Sequence, residues 1–137
     1  MNEINRIVIP VDKSEESKIA VEKGSQMAKL LGVNVTIISI DDTRQYIVSK
    51  SLENRLRKEH NKILEDLKKT VEDKQVNTQT ETIVGSSPAE EIAKYVKDDD
   101  LIIMSTHQKK GLERFVLGSV SEDVLKRVNC NVMILKR

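Results

Sequence analysis

Residues 101–121, LIIMSTHQKKGLERFVLGSVS, carry the pattern on which the fold turns. Leu101 to Met104 is an apolar strand candidate that runs into a loop with Lys109, Lys110 and Gly111, and the loop ends in a Gly118-Ser119 step that opens a helix. A helix beginning there points unpaired backbone N–H groups and its positive dipole end at whatever lies in front of Ser119. Anions bind in that geometry. Gly118 has no Cβ to hold a phosphate away from the backbone, and the Ser119 hydroxyl can cap the helix or bond a ligand. An apolar strand feeding such a helix end is what an open parallel α/β sheet offers at its carboxyl edge.

Upstream, Ile4 to Val11 is a nearly continuous apolar run, the pattern of a strand covered on both faces, and it stops at Asp12. Ser14 starts a helix with Glu15 and Glu16 in its first turn, Ile19, Ala20, Lys23 or Gly24, Met27, Leu30 and Leu31 continue at helical spacing, and Gly32 ends it. Val33 to Ile40 is a second buried strand followed by Asp41-Asp42. Between Thr43 and Lys74 a loop precedes a helix from about Ser51, with Leu52, Leu56, Ile63, Leu67 and Val71 as its apolar stripe. His60 falls on that stripe and reads as a partly buried histidine at a helix–sheet border.

Thr78 to Val84 alternates polar and apolar residues, as an edge strand does. Ser87, Pro88 and Glu90 then predict a capping-box helix start, with Ala89, Ile92, Ala93 and Val96 as the buried face. Asp98-Asp99-Asp100 reads as a solvated turn. After the 101–121 segment begins its helix, Val120, Val124, Leu125 and Val128 mark one face, and Val132 to Leu135 form a last strand. Strands and helices alternate throughout, which predicts one domain over residues 1–137: an α/β fold with a parallel sheet and helices on both faces.

Composition narrows the function. Twenty-three basic residues against 22 acidic leave a net charge of +1, which asks for neither nucleic acid nor an anionic membrane as partner. Aromatics make up 2% of the chain, too few for the stacking platforms of a single-strand nucleic-acid binder. One cysteine, Cys130, forms no internal disulfide and reads as a small packing residue in a reducing compartment. No run reaches membrane-spanning length and the amino end has no leader pattern, so the expected location is the cytoplasm.

In such a sheet, ligands bind beyond the carboxyl ends of the strands where the strand order reverses. Asp12 follows the first strand, Ile40 ends the second, and Ser105 follows the fourth. With the first and fourth strands as neighbours, a carboxylate for ribose hydroxyls or a metal, an apolar strand end for a base and a helix amino end for phosphates converge on one crevice. Asp12 has a second reading, as a turn-former that starts the helix after it.

Four stretches together resemble the universal stress protein family: Ile7-Val8-Ile9-Pro10-Val11-Asp12 with Ser14; Val84-Gly85 with Pro88-Ala89-Glu90-Glu91-Ile92; Asp100 through Thr106-His107; and Gly111-Leu112 through Leu117-Gly118-Ser119-Val120. The resemblance covers essentially the whole chain. It implies a Rossmann-like open five-stranded parallel sheet of order 3-2-1-4-5, a homodimer through the last strand, and members that either bind ATP or act without it as signalling and interaction proteins. The binding members' motif is Gly, two residues, Gly, nine residues, then Gly followed by Ser or Thr. Here Ser105 and Gln108 stand at the first two glycine positions, and Gly118-Ser119 completes the motif. Gln108 places a Cβ and a long side chain where the family's backbone comes close to the phosphates.

The resemblance implies adenine-nucleotide contacts from Pro10, Val11, Asp12, Ile40, Gly85, Ser105, Thr106, Gln108, Gly118, Ser119 and Val120, with Asp12 reaching Mg²⁺ through the nucleotide. The expected function is an ATP-binding sensor or regulator of the stress response, acting through a protein partner of unstated identity. The alternative is a dimeric interaction module with an empty crevice. A weak ATPase ranks third, because the chain has no Walker loop and no nucleophile elbow, and His107 is the only candidate acid or base near the loop. Independently of the resemblance, Val132 to Leu135 is apolar on both faces, so an edge position there would favour pairing with a second copy.

Overall fold

The computed structural model describes residues 3–42, 49–106 and 118–136. Its elements alternate: β1 (Arg6–Val11), α1 (Glu15–Leu31), β2 (Asn34–Asp41), α2 (Lys50–Glu72), β3 (Thr78–Val84), α3 (Pro88–Tyr95), β4 (Asp100–Ser105), α4 (Ser119–Arg127) and β5 (Asn131–Leu135). The strands form one sheet of order β3-β2-β1-β4-β5, with every neighbouring pair parallel. The order reverses between β1 and β4, so the carboxyl ends of these two strands flank the switch point.

Alternation along the central strands explains their continuous apolar runs. Ile7, Ile9 and Val11 of β1, Val35 and Ile37 of β2 and Leu101 and Ile103 of β4 pack against Ala20, Val21 and Ala28 of α1 and Leu64, Leu67 and Val71 of α2. Val8, Ile38, Ile102 and Met104 turn the other way, onto Ala89 and Ile92 of α3 and Val124 of α4. Both faces of these strands are therefore dry, and a residue of either parity must be apolar. α1 lies so close to β1 that a Cβ added at Gly24 would stand 2.5 Å from Ile9 Cδ1. Gly32 ends α1 in the left-handed region at φ 69°, its N–H bonded to the Ala28 carbonyl.

Helix starts divide by whether a side chain caps them. Ser14 accepts from the Ser17 N–H, and Ser49 accepts from the Leu52 N–H. Ser87 occupies the cap position of α3 but its side chain makes no capping bond, so the capping box expected from Ser87 and Glu90 is not formed; Pro88 at the first turn supplies the start instead. Three further expectations are corrected. Asp100 is not part of a solvated turn: it is 2% exposed, begins β4 and takes a two-pronged ion pair from Arg6. On α4, Ser121 and Val124 are the buried residues, while Val120 and Leu125 are 39% and 40% exposed, because a helix of nine residues buries only the narrow stripe against β4 and α3. Leu30, expected on the apolar stripe of α1, is 81% exposed, and Ser25 and Ala28 take the buried side.

Candidate functional site

A cavity of about 550 Å³ opens at the carboxyl ends of β1, β2 and β4. Pro10 and Val11 of β1 and Asp12 after it line it, Ser39 and Ile40 come from β2, Met104 and Ser105 from β4, and Gly118, Ser119 and Val120 from the start of α4. Pro88 and Ile92 of α3 close one side; His60 and Ile63 of α2 close the other. The walls therefore belong to both helical layers.

Asp12 performs the helix-start role. Its Oδ1 accepts from the Ser14 N–H at 2.8 Å, from the Ser14 hydroxyl, and from the Ser17 hydroxyl at 2.9 Å. Ser17 in turn accepts from the Asp12 N–H at 2.8 Å. This ring of bonds fixes the carboxylate at the lip of the cavity, so turn formation and ligand-facing placement are one arrangement and not rival readings. Ser14, the cap of α1, and Ser17 in its first turn thereby hold the residue that follows β1 in place.

Ser105 lines the cavity, and its buried Oγ has no hydrogen-bond partner among the described residues. A buried hydroxyl left without a partner costs free energy on the order of 1–3 kcal/mol, which a bound polar group would remove. At the amino end of α4, Gly118 is the cap residue in extended conformation with no side-chain capping bond, and a Cβ there would meet nothing within 4 Å. The first N–H groups of α4 are thus not capped by a side chain of their own helix start, and Ser119, in the first turn, is exposed. An anion fits such an end.

Of the residues expected at the site, Pro10, Val11, Asp12, Ile40, Ser105, Gly118, Ser119 and Val120 come together around the cavity. Gly85 and Thr106 are not brought to it. The Gly85 N–H bonds the Asp41 carbonyl, and a Cβ at Gly85 would stand 2.4 Å from Glu91 Cγ, so this glycine serves the approach of α3 to the β3 end. Thr106 is buried, with its N–H reaching the Leu135 carbonyl at 3.4 Å. Gln108, His107, Lys109, Lys110 and Gly111 lie outside the described residues. Among the described residues no group of three His, Cys, Asp or Glu side chains is placed to hold a metal ion.

The family model described as "Universal stress protein family" matches residues 3–136 of the chain. This protein belongs to the universal stress protein family. Universal stress protein MJ0531 of Methanocaldococcus jannaschii is 34% identical over 99% of this chain and 84% of its own length. The solved structure of protein MJ0577 from the same organism superposes with a TM-score of 0.80 at 33% identity, covering 99% of this chain and 98% of that one. Two more distant universal stress proteins share the fold: one solved in complex with cAMP, at 21% identity and TM-score 0.70 over 98% of both chains, and one from Archaeoglobus fulgidus in complex with dAMP, at 19% identity and TM-score 0.69 over 95% and 96%.

Sequence reading missed the α2 wall of this universal stress protein domain. Ser39 is buried and its Oγ lies 2.8 Å from His60 Nδ1. His60 is partly buried at a helix–sheet border, as expected, yet it also lines the cavity. The available signal was the Ser39 hydroxyl next to Ile40 at the carboxyl end of the strand; nothing in helical periodicity says which strand end a residue of α2 will meet. Among the described residues no helix is long and apolar enough to cross a membrane.

Proposed function

We propose that this chain binds an adenine nucleotide in the crevice at the carboxyl ends of β1 and β4 and acts as a sensor or regulator of the stress response in the cytoplasm. The observation that carries the reading is the convergence, on one cavity, of Asp12, the apolar Ile40, the Ser105 hydroxyl that has no partner among the described residues, and the amino end of α4. The cAMP and dAMP complexes of proteins with this fold support the choice of an adenine ligand. The α4 end with Gly118 and Ser119 suits the phosphates, Ile40 and Pro10 suit the base and ribose, and the Asp12 carboxylate suits ribose hydroxyls or a Mg²⁺ ion carried by the nucleotide. ATP is the form we favour, because a triphosphate gains most from a helix amino end. A partner protein would read the occupied state of this crevice.

Thermal denaturation with ATP and Mg²⁺, AMP, cAMP and GTP tests this directly. A ligand at one hundred times its Kd stabilises the fold by about 2.7 kcal/mol. The melting temperature rises with adenine nucleotides under this reading; no rise at millimolar ATP contradicts it.

A second reading, a dimeric interaction module, draws on the edge position of β5. Val132, Met133, Ile134 and Leu135 are each partly exposed at the end of the sheet, and Val120 and Leu125 of α4 are exposed as well. An unpaired apolar edge invites a second copy. We propose a homodimer through β5 that accompanies nucleotide binding; sedimentation as a monomer at tens of micromolar protein contradicts it.

A further inference from the structure

We propose that His60 fixes the base of the bound nucleotide, donating a hydrogen bond from Nε2 to a ring nitrogen of the purine, with Ser39 holding the imidazole in the required tautomer; the inference rests on the adenine-nucleotide reading above. The alternation of β2 sets the wall. Val35 and Ile37 face the α1 and α2 layer, Ser39 continues that parity, and it meets His60 there. α4 packs through Val124 in the opposite layer. A nucleotide with phosphates at Gly118 and Ser119 therefore extends its base across the strand ends toward the α2 wall, where His60 and, one turn on, Ile63 line the cavity.

The tautomer follows from burial. Ser39 is 3% exposed, and among the described residues His60 Nδ1 is the only partner of its hydroxyl. A buried O–H needs an acceptor more than a hydroxyl oxygen needs a second donor, so Ser39 donates and Nδ1 accepts. The neutral ring then carries its hydrogen on Nε2, which has no partner among the described residues. A flat ring with one free donor beside an isoleucine side chain suits a purine: a face to stack on and one acceptor nitrogen to bond.

Atom-replaced nucleotides test the contact. Competition binding compares ATP with 1-deaza-, 3-deaza- and 7-deaza-ATP, for the unaltered protein and for His60→Phe and His60→Gln. The expected result is a loss of about tenfold for one of the three analogues with the unaltered protein, no such difference in His60→Phe, which keeps the ring face without the donor, and partial recovery of it in His60→Gln. Unaltered protein that binds ATP and all three analogues alike overturns the contact while leaving the nucleotide reading in place, as does discrimination that persists in His60→Phe. If ATP itself does not bind, the nucleotide reading fails and the contact with it.

Discussion

Arg6 and Asp100, the first residues of β1 and β4, are joined by two hydrogen bonds, Nε to Oδ1 at 3.0 Å and Nη2 to Oδ2 at 2.8 Å. The pair clamps the switch-point strands at the end opposite the crevice. Asp100 also accepts from the Lys97 N–H, and Arg6 donates to the Tyr95 hydroxyl and lies 5.1 Å from the centre of its ring. The hydrogen bond that Arg6 donates to Asp100 holds the guanidinium above its ordinary pKa. Asp100→Ala leaves Arg6 without its carboxylate and is expected to cost about 3 kcal/mol, the scale for removing one partner of a buried pair. Urea unfolding of the variant measures it; a change under about 0.5 kcal/mol would mean that the clamp is dispensable.

The same cluster predicts a weakness at alkaline pH. Burial, and then the hydrogen bond that Tyr95 donates to Glu81 at 2.8 Å, push the Tyr95 hydroxyl above its ordinary pKa. A group whose folded pKa is raised stabilises the fold fully below its unfolded value, about 10, and loses that contribution as pH rises through the folded value. Stability should therefore fall above pH 10, and Tyr95→Phe should flatten the fall. An unchanged pH profile in Tyr95→Phe would remove Tyr95 from the cause.

Gly24 within α1 and Gly32 at its carboxyl cap separate crowding from backbone strain. Gly24→Ala drives a Cβ to 2.5 Å from Ile9 Cδ1 in a fully buried layer, and overpacking of that kind costs about 1–3 kcal/mol, offset by about 1 kcal/mol of helix propensity. Gly32→Ala meets no atom within 4 Å but sits at φ 69°, so its cost, about 1–2 kcal/mol, is conformational alone. Crystal structures of both variants should show a displaced Ile9 only in the first.

Much of this frame was legible because its signals are local. Strand runs such as Ile7 to Val11, the Gly32 cap and the Gly118-Ser119 helix start depend on residues next to one another, and the five strands and four helices of the described residues follow from such signals. Two features depend on contacts between distant segments and were not legible: Asp100 finds Arg6 across 94 residues, and His60 finds Ser39 across 21. A third is local, since the Ser87 side chain does not make the bond its spacing suggests. At the cavity, Pro10, Val11, Asp12, Ile40 and Ser105 come together as their strand-end positions suggest, because a parallel sheet puts every carboxyl end on one edge. The α2 wall was not read, because the rotation of a helix over a sheet is set by packing.

The serine caps offer a matched comparison. Ser14→Ala removes an acceptor for the Ser17 N–H and a donor to Asp12, and should cost about 1 kcal/mol, whereas Ser87→Ala removes no capping bond and should be close to neutral. Chemical denaturation of the two proteins side by side checks the difference. Equal losses would mean that Ser87 caps α3 in solution.

Ser105→Ala separates folding from binding. It deletes a buried hydroxyl that has no partner among the described residues, so the free protein should be unchanged or more stable by up to about 1 kcal/mol. ATP affinity should fall about fivefold or more, by the loss of a hydrogen bond worth about 1 kcal/mol or above. Loss of stability without loss of affinity would place the hydroxyl in the fold and not in the site.

The central claim is that an adenine nucleotide occupies the crevice between Asp12 and the amino end of α4. A titration of isotope-labelled protein with ATP and Mg²⁺, followed by amide chemical shifts, reports occupancy and location together. The account predicts saturable shifts concentrated at Asp12, Ile40, Ser105, Ser119 and Val120, with β3 and the β5 edge little changed. No shifts at millimolar ATP, or shifts confined to the β5 edge, would contradict it.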